Sequence, residues 1–192
     1  DINKQKKIHA LIIPKGAYVN LDDFSSNASE KEIRFFDDLY FDYFRLGDLQ
    51  KNIEKAEPIL RNTDILSVDL GAFRFSEFSS SNSSCPNGFF ANEMCQLMKY
   101  AGVSDKLSCV GIYNQKTGKI RDVDSEIIAQ MLYFLTDGFA GRTKDFPIGS
   151  KKDHYKYSIF HDELKHDLVF HKSPKSERWW LEVPYPPSKD FK

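Results

Sequence analysis

Two hydrophobic periods follow one another along this chain, first that of buried strands and helices and then strict alternation. Residues 8–14 form a short apolar run that ends at Pro14, the pattern of a buried parallel strand. The polar stretch 20–29 supplies several helix N-caps, after which Ile33, Phe36, Leu39, Tyr40 and Tyr43 recur at helical spacing as far as Gly47. A second helix is expected from Asp48 to about Pro58, because proline disfavours helical geometry in the residue before it. Residues 65–70 then read as a strand, and helix feeding strand is the rhythm of an α/β protein.

Between Gly71 and Gly88 the chain is Ser-rich and without period, longer than an ordinary connection, which suggests a functional or mobile loop. A helix is expected over residues 90–100, with Met94, Leu97 and Met98 inward and Gly102 as its stop, followed by a strand over 107–113. After a turn at Lys116-Thr117-Gly118, the longest helix spans about 124–140 and is nearly apolar all round, through Ile127, Ile128, Met131, Leu132, Phe134 and Leu135. Beyond Pro147 the period becomes two, and residues 155–160, 168–171 and 179–183 predict an antiparallel meander. The fold class is therefore α/β: a partial parallel sheet flanked by helices over residues 1–150, and a β meander with a Pro-rich tail over 151–192, packed on the same domain.

Composition narrows the picture. Apolar residues make up 41% and charged residues 29% of the 192 positions, as in a globular protein. With 27 basic against 28 acidic side chains, no general attraction to nucleic-acid backbones is expected. No apolar run approaches the roughly 20 residues of a membrane span. Cys85, Cys95 and Cys109 are too few and scattered for a disulfide framework, so a reducing cytoplasm is the expected location. The chain opens at Asp1 rather than Met, which fits a processed or cut product or an expressed fragment.

Three ordered segments carry a resemblance. Ser67-Val68-Asp69-Leu70-Gly71-Ala72-Phe73 ends a strand and opens the long loop; Pro86-Asn87-Gly88-Phe89-Phe90-Ala91-Asn92-Glu93 closes that loop; Asp124-Ser125-Glu126-Ile127-Ile128-Ala129 starts the last long helix. Together they resemble the C-terminal part of the ureohydrolases: arginase, agmatinase and formimidoylglutamase. Phe35-Phe36-Asp37-Asp38-Leu39-Tyr40-Phe41-Asp42 and the ending 172–186, with Trp179-Trp180-Leu181-Glu182, look like the formimidoylglutamase-related branch of Bacteroidetes, which extends the resemblance over nearly the whole chain. The resemblance implies an arginase-like three-layer α/β/α fold. The family's earlier Gly-Gly-Asp-His and Asp-Ala-His-x-Asp motifs have no counterpart in these residues.

In that family two manganese ions hold a hydroxide that attacks a guanidinium or formimino carbon, which requires several carboxylate and imidazole ligands. Carried over by position, the third metal motif places Ser67, Asp69 and Ala72 where the family has three aspartates. Ser67 and Asp69 are then the residues of a degenerate metal site, in which a neutral hydroxyl binds a divalent ion far less well than a carboxylate. The alternative for Asp69 is a strand-end carboxylate that caps nearby backbone. The family's substrate-gripping glutamate falls at Asn114, an amide that leaves a cationic group unpaired. These correspondences imply no catalytic residue and no cofactor held by this chain alone, with Mn2+ bound only where a complete site is assembled. They suggest a catalytically impaired assembly or interaction module, acting by self-association or with a complementary protein chain. Two other readings remain: half of a Mn-dependent hydrolase of linear C–N bonds whose N-terminal half supplies the remaining ligands, and a vestigial pocket near Asp69 and Asn114 that holds a small cationic ligand.

Other chemistry is weaker. His154, His161, His166 and His171 lie near Asp162, Glu163 and Asp167, but alternation along a meander distributes them unevenly, and the 162–165 turn reads as solvated. Cys109 is expected to be a small core residue. Lys172, Lys175 and Arg178 read as a solvated basic turn. Trp179 and Trp180 must face opposite sides of a strand, so one is exposed unless the long helix and the tail cover both.

Overall fold

The computed structural model describes residues 10–12, 44, 46–82, 84, 86–145, 152–163 and 165–182. The helix expected over 20–47, apart from its last few residues, lies outside them, as do the segment 35–42, Cys85 and the tail after Glu182. The chain divides into two compact units, residues 1–142 and 143–192.

The first unit is built on three parallel strands, β1 (Ala10–Ile12), β2 (Ile65–Asp69) and β3 (Cys109–Tyr113), in the order β1-β2-β3. Alternation along β2 buries Leu66 and Val68 on one side. Their register partners Val110 and Ile112 extend that side into the same core, which also holds Met94, Leu97, Met98, Ile127 and Met131 from the helices. The predicted parallel sheet with flanking helices is thus present.

The single helix expected to stop at Pro58 is instead three short pieces: α1 (Leu46–Lys51), a 3-10 turn (Ile53–Ala56) and α2 (Glu57–Leu60). Pro58 stands in the first turn of α2, where no helical N–H bond is lost and the fixed φ suits a new start. Proline here restarts a helix rather than ending one.

Two longer helices follow, α3 (Ala91–Gly102) and α4 (Asp122–Ala140). Their backbones meet at glycines: a Cβ on Gly102 would stand 2.3 Å from the Leu135 carbonyl oxygen, and one on Gly138 2.3 Å from that of Lys99. Helix α4 buries Asp124, Ile127, Met131 and Gly138 and leaves Leu132 and Tyr133 exposed, so its apolar sequence is only partly used in the core. The opposite side of the parallel sheet carries Ser67, Asp69, Cys109, Gly111 and Tyr113 by alternation. Cys109 is exposed, contrary to the core position expected for it, because it begins an edge strand on this less-covered side.

The second unit contains the antiparallel meander, β4 (Tyr155–His161), β5 (His166–Lys172) and β6 (Trp179–Glu182), in that order. The first two strands run further toward their hairpin than the hydrophobic pattern indicates, bringing His161 opposite His166. Trp179 is exposed while Trp180 is half-buried, as adjacent strand positions require.

Candidate functional site at the carboxyl end of the parallel sheet

In open α/β sheets, ligands bind beyond the carboxyl ends of the strands. Here that end is formed by Asp69 on β2 and Tyr113 on β3, which are register partners. Ser67 and Asp69 point to the same side, two residues apart, and both are half-buried. After Asp69 the chain makes one 3-10 turn, Leu70–Ala72, and the Asp69 Oδ1 accepts a hydrogen bond from the Gly71 N–H at 2.7 Å. That is the backbone-capping arrangement open to a strand-end carboxylate. Ala72 is buried and offers no donor atom.

Asn114 follows β3 in the left-handed region, φ 67°, which asparagine tolerates better than most residues. Its Oδ1 accepts from the Asn82 Nδ2 at 3.0 Å, and its carbonyl accepts from the Asn82 N–H at 3.3 Å. The Asn114 side chain therefore fastens the Ser-rich loop to the end of β3. Tyr113 folds back along its own strand, since a Cβ on Gly111 would lie 2.2 Å from its Oη. Gly111 is the register partner of Ser67, so a phenol ring covers the ground beside that hydroxyl.

The loop from 71 to 90 is tied down at several points rather than patternless in space. Its arms run together where the Phe89 N–H donates to the Ala72 carbonyl at 2.9 Å and the Arg74 N–H to the Phe89 carbonyl at 3.2 Å. Gly88 is required there, because a Cβ would come 2.3 Å from the Arg74 nitrogen. Phe73 and Phe78 stack beneath the loop at 5.3 Å. Glu93 accepts from the Phe90 N–H at 2.9 Å and from Gln50 at 3.1 Å, so the segment resembling a ureohydrolase motif serves here to start α3.

Asp124, marked in the sequence only as the start of the last long helix, is a buried anchor. It is fully buried at the start of α4, and its Oδ2 accepts from the Ser80 N–H at 2.9 Å, the Ser80 hydroxyl at 2.6 Å and the Ser79 N–H at 3.2 Å. Arg121 closes the arrangement, with Nη2 2.5 Å from Oδ1 and Nε 3.1 Å from Oδ2. Burial works against the charged carboxylate, but the Arg121 and Ser80 hydrogen bonds outweigh it and hold the group below its ordinary pKa. The only local signal was an acid three residues after an arginine at a helix start, since its other partners lie 44 and 45 positions away.

The residues at the sheet end do not fit a manganese pair. Asp69 is the one carboxylate among Ser67, Asp69 and Ala72, and it caps Gly71. Among the described residues no three His, Cys, Asp or Glu side chains come together as a metal site. In the second unit, His171 Nε2 lies 2.8 Å from Glu182 Oε2, and His154 Nε2 lies 2.9 Å from the Asp145 carbonyl.

Comparison with known proteins places this geometry. The chain aligns with formimidoylglutamase from Bacillus subtilis at TM-score 0.54 and 19% identity, over 63% of this chain and 40% of that one. Trypanosoma cruzi formiminoglutamase with Mn2+ aligns at TM-score 0.53 and 18% identity, over 59% and 41% respectively. An arginase superfamily protein from Trypanosoma cruzi gives TM-score 0.53 and 18% identity, over 59% and 40%. The chain spans about two fifths of the length of these structures, and the likeness covers about three fifths of this chain, less than the near-complete extent that its motifs imply. An uncharacterized 13.2 kDa HIT-like protein of Azospirillum brasilense is 46% identical over 58 residues, 30% of this chain and 43% of that protein. No protein-family profile matches the chain. No helix among the described residues is long and apolar enough to cross a membrane. Joined to the parallel sheet, its flanking helices and the ordered loop, these likenesses give the chain the fold of the arginase superfamily.

Proposed function

We propose that this chain is a ureohydrolase-family protein of the formimidoylglutamase and arginase type whose metal centre is degenerate, and that it serves as an assembly or interaction module in the cytoplasm. The observation that carries this reading is at the sheet end: Asp69 is the only carboxylate of its motif and is engaged with the Gly71 N–H, while Ser67 lies beside Gly111 and the overlying Tyr113 ring. Hydrolysis through a metal pair needs a set of anionic and imidazole ligands around one point. The chemistry of this donor set supports a scaffold rather than a catalyst.

A second reading is favoured by length. Because the chain spans about two fifths of the formimidoylglutamase structures, a complementary polypeptide is the natural source of further ligands, and the two together would form a Mn-dependent hydrolase of guanidino or formimino C–N bonds. Metal analysis of the purified chain after dialysis against manganese separates the two. The degenerate reading predicts far less than one bound equivalent, and two tightly held equivalents would overturn it. Manganese uptake only on adding a chain that bears Gly-Gly-Asp-His and Asp-Ala-His-x-Asp motifs would establish the second.

A further inference from the structure

An antiparallel sheet in water ordinarily turns apolar side chains to a core and polar ones to solvent. The meander of the second unit does the reverse on one side. Alternation and register put Tyr155, Tyr157 and Ile159 of β4, and Trp179 and Leu181 of β6, on the same face. These five are exposed, at 59%, 45%, 59%, 46% and 49% respectively. Leu168 and Phe170 of β5 lie half-buried between them. The face is continuous: the Tyr157 and Trp179 rings approach to 5.1 Å across β5, and Lys172 Nζ stands 5.5 Å from the Trp179 ring. The other side holds the buried His171 with its Glu182 partner and the half-buried Trp180; of the exposed large apolar residues in these strands, only Phe160 lies there.

We propose that this aromatic face is a self-association surface whose occupant is the same face of a second copy of the chain. The proposal names the partner of the interaction module inferred above, and rests on that reading. Area is the first argument. Tyr and Trp side chains bury about 150–250 Å² each and aliphatic ones somewhat less, so five that are half exposed offer about 500 Å² per copy. Two such faces together reach about 1,000 Å², the threshold for a specific protein interface. Charge is the second. The strand positions on this face include no carboxylate and one lysine, Lys172, with His161 and His166 at the hairpin end. A face read by a foreign partner gains specificity from complementary charges, whereas an apolar strip whose one lysine stands at its end is complementary to itself under a two-fold axis. Two such sheets stack about 10 Å apart with interdigitating side chains, which this strip of rings and branched aliphatics permits.

The test uses the whole chain. Sedimentation velocity from about 1 to about 200 µM should show a monomer passing to a dimer, the range in which an interface at the size threshold associates. Ile159→Glu and Leu181→Glu should each raise the dissociation constant at least about tenfold, because each places an unpaired charge within the apolar contact. Lys156→Glu, on the other side of the same sheet, should leave it unchanged. If a glutamate variant loses its circular-dichroism signal, hydroxyl-radical footprinting of the unaltered chain decides, with Tyr157 and Trp179 becoming protected as concentration rises. A monomer throughout, a dimer indifferent to both glutamates, or ring protection independent of concentration would overturn the proposal; the last would assign the face to an intramolecular cover. Metal analysis distinguishes the two readings: a metal-free monomer removes this surface but leaves the degenerate centre, while a dimer with two bound manganese ions does the opposite.

Discussion

Asp124 in the first unit and Asp145 in the second are both buried carboxylates that gather a loop, and their partners differ in kind. Asp124 faces a cation, Arg121, and takes backbone and hydroxyl donors from Ser79 and Ser80. Asp145 is held chiefly by hydroxyls: Thr143 donates to Oδ1 at 2.6 Å and Ser176 donates to Oδ2, with Ser173 as a further hydrogen-bond donor and the Arg178 charge also favouring the carboxylate. Asp124 joins the start of α4 to the loop 44 and 45 positions before it, and Asp145 joins its own segment to the turn at Ser176, 31 positions on. Loss of Asp124 strands a guanidinium as well as backbone and hydroxyl donors, whereas loss of Asp145 strands chiefly hydroxyls.

The largest expected effect follows from that difference. Asp124→Ala leaves the Ser79 and Ser80 donors and the Arg121 guanidinium without their acceptor, and breaking a buried polar network of this kind costs about 3 kcal/mol. Urea denaturation should show the loss, and limited proteolysis should find new cleavage between residues 71 and 90. Unchanged stability with an uncut loop would mean that Phe73, Phe78 and Gly88 hold the loop without Asp124.

Asp145 supplies the pH test. Burial disfavours its charge, yet the Ser173, Ser176 and Thr143 hydrogen bonds and the Arg178 field outweigh burial and bring its pKa to about 2. The unfolded carboxyl titrates near 3.9. A group whose folded pKa lies below its unfolded value stabilises the fold above the unfolded pKa and loses that contribution as pH falls through the folded one. The contribution is about 2 kcal/mol, present above pH ~4 and gone below pH ~2. Trp179 and Trp180, the only two tryptophans, both lie in the meander, so their fluorescence in urea titrations reports this unit. Asp145→Asn should lower stability at pH 6 by a similar amount and flatten the acid limb; an acid limb identical in the variant would place the titration elsewhere.

Gly138→Ala sharpens the contrast from the other direction, because its effect carries no charge. The new methyl would press on the Lys99 carbonyl across the α3–α4 contact, and overpacking of this kind costs about 1–2 kcal/mol. The loss should be the same at pH 4 and pH 7, unlike that of Asp145→Asn. A variant of undiminished stability would show that the helices can separate by about an ångström without penalty.

What could be read from the sequence is what a local pattern carries. Leu66 and Val68 on β2, and Met94, Leu97 and Met98 on α3, declare themselves by period, because the burial of each face is a local pattern. Ser67 stands within β2, Asp69 at its end and Asn114 directly after β3. Cys109 was misjudged because period two cannot say which side of an edge strand is covered. Pro58 was misjudged because the proline that ends one helix equally suits the first turn of another. Asp124 was invisible as an anchor, since its meaning depends on serines 44 and 45 positions away that only the fold brings to it.

The smallest effect bears most directly on the proposed degenerate centre. As a cap, Asp69 needs only an oxygen acceptor for the Gly71 N–H, and asparagine provides one. Asn and Asp are near equals in capping, while alanine loses the bond, so Asp69→Asn should change stability by less than about 0.5 kcal/mol and Asp69→Ala by about 1 kcal/mol. Thermal unfolding with and without manganese extends the comparison to the ion. A capping carboxylate without fellow ligands gives the same melting temperature in both conditions, in the parent chain and in both variants. A manganese-dependent rise in the parent chain that Asp69→Asn abolishes, with little change in metal-free stability, would make the negative charge rather than the acceptor oxygen the property that matters, and Asp69 would then be a ligand in search of its neighbours.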